Sequence, residues 1–355
     1  MPGLDPELDA LIAAMPKAEL HVHLEGSIRP ATLLMLARRN EVDLGCDDEA
    51  GLRELYRFRD FRHFVELYSV ILSTLRTPED FALITEELGR SAAAQNTRYL
   101  EATFTLGAHV RSKGIPADEL LDALSSGADA SRLATGVEMR FIFDHVREHP
   151  PELCRRIAEW CVQGRDRGVV ALGLSGFELA QPVTRFADAI RWAQANGIAF
   201  VPHAGEVAGP ESVWEVLEFD PPRIGHGIHS IGDPALVARL RDRGIVLEIC
   251  PTSNVCLNNV PILAAHPLRL FWDAGVPVTI NSDDPPMFNT TLLDEYRLAA
   301  SDFGFTAEEL AEASLTAARS ALLPAEGRAR LETSFRDELR LLGLGTRSRG
   351  SEDTD

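Results

Sequence analysis

Short apolar runs rich in Val and Ile alternate with amphipathic stretches through most of this 355-residue chain, and that alternation limits the folds open to it. Eight runs read as strands, at residues 19–24, 98–103, 137–144, 169–174, 198–203, 223–227, 245–250 and 276–281. Several are apolar throughout, the pattern of parallel strands covered on both faces. The stretches between them carry helix signals. Pro116 precedes Asp118 and Glu119, placing a proline at the start and acids in the first turn, and residues 150–167, 182–196 and 233–243 look alike. Gly197 and Gly244 stand where a helix would end before the next strand. Eight such units predict an α/β fold, a (β/α)8 TIM-type barrel, over an open sheet.

Residues 1–343 read as one barrel domain, with a helical insertion at about 30–97 between the first two strands. Within it Phe58, Phe61, Phe64 and Tyr68 recur at helical spacing. The favoured reading is a core-facing stripe; the alternative is a cap over the barrel mouth that supplies apolar substrate contacts. Two helices are expected after Thr306, and residues 344–355, polar and Ser/Thr-rich from Thr346, read as a disordered tail.

Acidic residues outnumber basic ones 54 to 35, a formal charge of −19 that repels phosphate backbones, so neither nucleic acid nor an anionic membrane is expected as a partner. The five cysteines are odd in number and form no CxxC pair, which points to reduced thiols in a cytoplasmic protein. Residues 1–14 lack the basic segment of a signal peptide, and no apolar run approaches the ~20 residues of a membrane helix.

Four segments at predicted strand ends carry chemistry, and barrel enzymes build their sites at that face. His21 and His23, one residue apart on a strand, share a face and form half of a metal site. His203 ends the fifth strand and can complete a three-imidazole site, with Glu206 beyond a turn-permitting Gly205 as a proton carrier. His226 lies between two glycines that expose its ring, or is a packing histidine; His229 is given no role. Asp283 and Asp284 end the eighth strand and point differently, so one can bind metal while the other faces substrate, or they merely form an Asp-Asp-Pro turn. Three His and one Asp suit Zn²⁺, which accepts imidazole nitrogen and carboxylate oxygen. Several other sites are missing: there is no Walker A loop, no GxGxxG after a strand and no HxE…PCxxC. Gly173-Leu174-Ser175-Gly176-Phe177 breaks GxSxG at its last position.

Together His21-Val-His23-Leu-Glu25-Gly26, His203-Ala-Gly-Glu206, Gly225-His226-Gly227 and Ser282-Asp283-Asp284-Pro285 resemble the adenosine deaminase family of the amidohydrolase superfamily, over about residues 17–322. The resemblance implies one zinc per subunit, held by His21, His23, His203 and Asp283, and hydrolytic removal of the 6-amino group of an adenine ring. It implies that Glu206 protonates N1, that His226 assists the attacking water, and that Asp284 orients the nucleophile or meets N7. Gly176 matches the backbone position that contacts the purine, and His23 and Asp284 also border the substrate. Water and a small purine nucleoside are the implied partners.

Two departures bear on the substrate. The adenosine enzymes commonly carry Asp in HxHLDG, near the ribose 5′-hydroxyl, where this chain has Glu25, which the resemblance implies borders the substrate, and they tend to flank the glycine after the fourth strand with acids. HxHLEG is more like relatives acting on free adenine or on 6-aminodeoxyfutalosine, a menaquinone-pathway nucleoside with an aryl group in place of the 5′-hydroxyl. Arg223-Ile-Gly-His-Gly and Glu248-Ile-Cys-Pro-Thr-Ser-Asn are more like the nucleoside-acting branch. An adenine nucleoside deaminase therefore leads, with an adenine deaminase as the alternative. A two-metal amidohydrolase with a bridging lysine fits less well, because Lys17 and Lys113 are the only lysines and neither ends a strand. A non-catalytic nucleoside-binding protein predicts loss of one of the six site residues His21, His23, His203, Glu206, His226 or Asp283, and all are present.

Overall fold

The computed structural model describes residues 4–345. Eight strands run in chain order around one sheet: β1 (Lys17–His23), β2 (Thr97–Phe104), β3 (Glu138–Val146), β4 (Val169–Ser175), β5 (Ala199–Ala204), β6 (Arg223–His226), β7 (Val246–Ile249) and β8 (Val278–Ile280). Each pairs with the next in parallel. The eight expected runs are these strands, because each buries apolar side chains both inside the barrel and beneath the helices around it.

The ring closes between β8 and β1 largely through side chains. Asn281 Oδ1 accepts from the Leu20 and His21 N–H groups at 3.0 and 3.2 Å. Glu19 Oε1 accepts from the Ser282 N–H at 3.0 Å. The backbones then join at one bridge, Val22 to Asp283, where the His23 N–H reaches the Asp283 carbonyl at 2.9 Å. The metal-type residues of β1 and those after β8 are thus held by the seam itself.

The segment between β1 and β2 is helical, as expected: Pro30–Arg39, Glu49–Leu55, Phe61–Ser73 and Pro78–Ala93. Asp60 caps the third of these by accepting from the His63 N–H at 2.9 Å. The favoured core-stripe reading holds for only part of its aromatic face. Phe58 and Phe64 pack on Phe288 with centroids 5.8 and 5.6 Å away, but Phe61, Phe64 and Tyr68 also line the cavity at the barrel mouth. A stripe facing a cavity has the same period as one facing a core, so periodicity could not separate the two.

The two helices after Thr306 are Ala307–Ser320 and Ala325–Leu341. The tail expectation from Thr346 onward lies outside the described residues. Among the described residues no helix is long and apolar enough to cross a membrane.

Candidate metal centre and active site

His21 and His23 occupy alternate positions of β1, His203 lies near the end of β5, and Asp283 follows β8. Their donor atoms converge: His23 Nε2 lies 3.2 Å from His203 Nε2 and 3.3 Å from Asp283 Oδ1, which is 3.4 Å from His21 Nε2. Four donors arranged tetrahedrally at the ~2.0–2.1 Å of zinc–nitrogen and zinc–oxygen bonds stand about 3.3–3.4 Å apart, so the spacing fits a small cation. His21 Nε2 is also buried without a hydrogen-bond partner. Its other nitrogen is fixed by Glu248, whose Oε2 lies 2.8 Å from Nδ1, leaving the Nε2 lone pair for a metal. Arg223 holds Glu248 in turn, bridging it to Glu101 in the barrel interior.

Electrostatics agree with the geometry. Burial opposes charging His21, yet the Asp283 and Glu248 carboxylates outweigh it and raise the ring to about 10. A position that attracts a proton so strongly attracts a metal cation for the same reason. Burial lowers His23, and burial plus the neighbouring imidazoles hold His203 well below the usual range, so both lone pairs are free. Burial pushes the Asp283 carboxyl up, but contact with His21 more than compensates and keeps it ionised. Ser253 donates to its second oxygen at 2.6 Å. Gly225 makes room for the cluster, since a Cβ there would lie 2.7 Å from the His21 ring.

Glu206 and His226 stand beside these donors, with His226 Nε2 3.8 Å from Glu206 Oε2 and 4.0 Å from Asp283 Oδ2. Burial, and then the Asp283 and Glu178 carboxylates, hold the Glu206 carboxyl well above the usual range, which favours its protonated form. Asn259 donates to its Oε1 at 3.1 Å. Its loop is anchored by Glu178, which accepts from the N–H groups of Gly205, Glu206 and Val207 at 2.7–2.8 Å.

A relay sets the His226 tautomer. The Leu268 N–H donates to His266 Nδ1, so the His266 proton sits on Nε2 and faces Asn254 Oδ1 at 3.1 Å. The Asn254 amide nitrogen then donates to His226 Nδ1 at 3.1 Å, leaving His226 with its proton on Nε2, toward the site. His226 and Asp283 both have left-handed backbones, φ 60° and 65°, a strained conformation that re-aims side chains at strand ends. Asp284 is buried with Oδ1 unpartnered, and burial followed by the Asp283 charge holds it well above the usual range. Gly26 admits it: a Cβ there would fall 1.6 Å from Asp284 Oδ1.

A cavity of about 340 Å³ joins these groups, walled by His23, His203, Glu206, His226, Asp283 and Asp284 on the barrel side. Gly176 also lines it, and Phe61, Val65, Tyr68 and Leu72 close it from the inserted helix. Glu25, expected to face the substrate, does not line it. Its carboxylate is buried and accepts from the Thr105 N–H at 3.0 Å and from His109 Nε2 at 2.9 Å, because a carboxylate so enclosed requires donors. Tyr68 lines the cavity as the cap alternative for the aromatic stripe had it, whereas sequence reasoning passed over Asp144, which also lines it, and Glu178, Glu248, Asn254 and His266, which orient its walls. Of these only Asp144 carried a signal, an acid at a predicted strand end.

Residues 16–337 match the family model described as adenosine deaminase. The chain belongs to the adenosine deaminase family. It is an aminohydrolase acting on cyclic amidines. Among family members it is 40% identical over 333 residues to the aminodeoxyfutalosine deaminase of Streptomyces coelicolor, covering 93% of this chain and 86% of that one. It is 38% identical over 322 residues to the adenine deaminase of Sinorhizobium medicae, covering 90% and 98%. The structure superposes on an amidohydrolase from Burkholderia ambifaria with bound zinc at a TM-score of 0.87, with 27% identity and coverage of 96% and 95%.

Proposed function

We propose that this protein removes the 6-amino group of an adenine nucleoside, adenosine or a 5′-modified relative such as 6-aminodeoxyfutalosine, giving the 6-oxo product and ammonia. The observation that carries the reading is the convergence of four metal-type donors with a buried Glu206, whose carboxyl is raised well above the usual range, on one wall of a cavity. Zinc is the ion assigned to His21, His23, His203 and Asp283, supported by their spacing and by the zinc in the Burkholderia relative. When bound it activates the water that attacks C6.

Attack at C6 pushes charge into the ring, and Glu206 relieves it by giving its proton to N1. His226, with its proton on Nε2, orients the attacking oxygen by hydrogen bonding. Asp284 borders the ring and positions it against Gly176. The attacking water returns one proton to Glu206 and gives its second to the amino nitrogen; the C6–N bond then breaks, ammonia leaves, and the oxygen already bonded to C6 becomes the 6-oxo group while N1 keeps its proton. Phe61, Phe64 and Tyr68 cover the cavity and exclude bulk water. The free cysteines suit a reducing, cytoplasmic setting.

Free adenine is a second reading, favoured by the Sinorhizobium relative. Deamination of adenosine, adenine and 6-aminodeoxyfutalosine by the zinc-loaded protein, followed by ultraviolet absorbance, tests both. Highest kcat/KM on a nucleoside supports the lead, highest on adenine supports the alternative, and no conversion of any refutes both.

A further inference from the structure

Barrel interiors are ordinarily filled by layers of branched apolar side chains. One layer of this barrel is charged instead. Glu101 on β2, Arg223 on β6 and Glu248 on β7 all lie at 1% exposure or less. The two carboxylates share the guanidinium: Arg223 Nε donates to Glu248 Oε1, and Nη2 donates to Glu101 Oε2. Stability alone is weak ground for such a network, because the desolvation of buried charges offsets their attraction and apolar packing serves a core as well.

The network runs the depth of the barrel. At one end Glu248 Oε2 lies 2.8 Å from His21 Nδ1, on the ring whose Nε2 points into the donor cluster. At the other end, the foot from which the strands start, it meets the short linker between the helices Ala307–Ser320 and Ala325–Leu341. Arg223 Nη1 donates to the Ser320 carbonyl, one of those that a helix C-terminus leaves without an intrahelical donor. The Leu322 N–H donates to Glu101 Oε1 at 2.6 Å, and the Tyr99 hydroxyl donates to the same oxygen at 2.7 Å. The linker thus grips both members of the ion pair through its backbone, one by a carbonyl and one by an N–H. Its Leu322 side chain packs on Ile142, Ala171 and Val201, a seat separate from the main apolar core.

We infer that Glu101, with the Tyr99 hydroxyl and the Leu322 N–H that hold it, is a positioning residue for the metal centre, acting on His21 through Arg223 and Glu248 from the opposite end of the barrel. The inference rests on the metal reading of the His21, His23, His203 and Asp283 cluster. One Glu101 oxygen takes two donors and the other takes the guanidinium, so the carboxylate cannot turn without breaking a bond. Arg223 is fixed by that anchor, and Glu248 by Arg223. A Glu101 that loses its donors lets Arg223 follow it away from Glu248, and His21 then keeps its place less well.

The test measures zinc dissociation constants, by competition with a chelator, for wild type, E101Q, Y99F, L322A and L322P. L322A removes the packing of the linker and keeps its N–H, whereas L322P removes both. Ala321, with ψ 134°, already has the extended backbone that a following proline requires. Visible spectra of the cobalt-loaded proteins follow the ligand geometry independently of turnover, and urea midpoints follow the fold. In E101Q the zinc constant should rise at least about tenfold, the lower end of what losing an outer partner costs a metal site. The cobalt bands of that variant should shift with it. In Y99F, and in L322P relative to L322A, the constant should rise about threefold, within the range of one hydrogen bond. Equal losses in L322A and L322P overturn the part given to the N–H. Folded variants with wild-type zinc constants and unchanged cobalt bands overturn the whole inference and leave the network a structural staple. Where E101Q or L322P fails to fold, Y99F, which deletes a single oxygen, decides. A wild-type protein that takes up neither metal overturns the metal reading itself, an outcome distinct from equal binding by all five proteins.

Discussion

The raised carboxyl of Glu206 is the most consequential property of any single side chain here. Burial and two nearby carboxylates favour its protonated form, and a general acid is useful only while it keeps that proton. The sign of the pH dependence follows. As pH rises through the elevated value Glu206 loses the proton it would give to N1, so kcat/KM should decline on the alkaline limb. Glu206→Gln keeps the shape and the Asn259 contact but cannot deliver a proton. It should retain metal, by elemental analysis, while kcat drops about 10²–10⁴-fold. Near-normal turnover in that variant would sink the assigned role. The charge difference between Asp283 and Asp284, adjacent in sequence, has the same origin. Asp283 faces His21, which favours its ionised form, whereas burial and the charge of its neighbour push Asp284 the other way, toward its protonated form.

At the scale of elements, the seam between β1 and β8 decides whether the donors meet. Asn281 satisfies two buried N–H groups of β1, at Leu20 and His21, that no backbone ladder reaches. Asn281→Leu strands both, so stability should fall by about 2–4 kcal/mol, seen as a lower urea midpoint at unchanged slope. Zinc affinity should fall with it, because β1 carries two donors. An unaltered midpoint would mean that the seam is held elsewhere. The eight strands themselves were legible in the sequence, since parallel strands buried on both faces read as continuous apolar runs. The four strand-end motifs were legible because each packs its chemistry within a few residues. The supporting groups were not: Glu248 acts on His21 from 227 residues away, and Asn254 acts on His226 from a different strand end, with no spacing to announce either. The left-handed backbones of His226 and Asp283 were equally silent, because glycine is the sequence sign of that conformation and neither position carries it. Glu25 misled for a related reason. Its place in the motif is next to the site, but the turn at Glu25–Ser27 buries its carboxylate against Thr105 and His109.

For the molecule as a whole, the barrel and the metal centre draw on different sources of stability. The large apolar cluster between strands and helices is independent of the His/Asp donors, so removing metal should leave the barrel folded. The donors remain linked without an ion, since His21 holds a proton against Asp283, and this partner exchange softens the loss. The stabilisation that zinc adds then follows mass action, because the ion binds the assembled cluster and the unfolded chain offers no preformed site. It amounts to about 2.7 kcal/mol at a hundredfold excess over Kd and about 4.1 kcal/mol at a thousandfold excess. Chelator-stripped protein should keep its far-ultraviolet circular dichroism, lose activity, and melt several degrees lower. On titration with zinc the melting temperature should climb with the logarithm of free metal, and activity should return in step. A melting temperature indifferent to zinc would remove the ion from the cluster. Collapse of the circular dichroism on chelation would show that the barrel depends on the metal for folding, against the separation of core and site argued here.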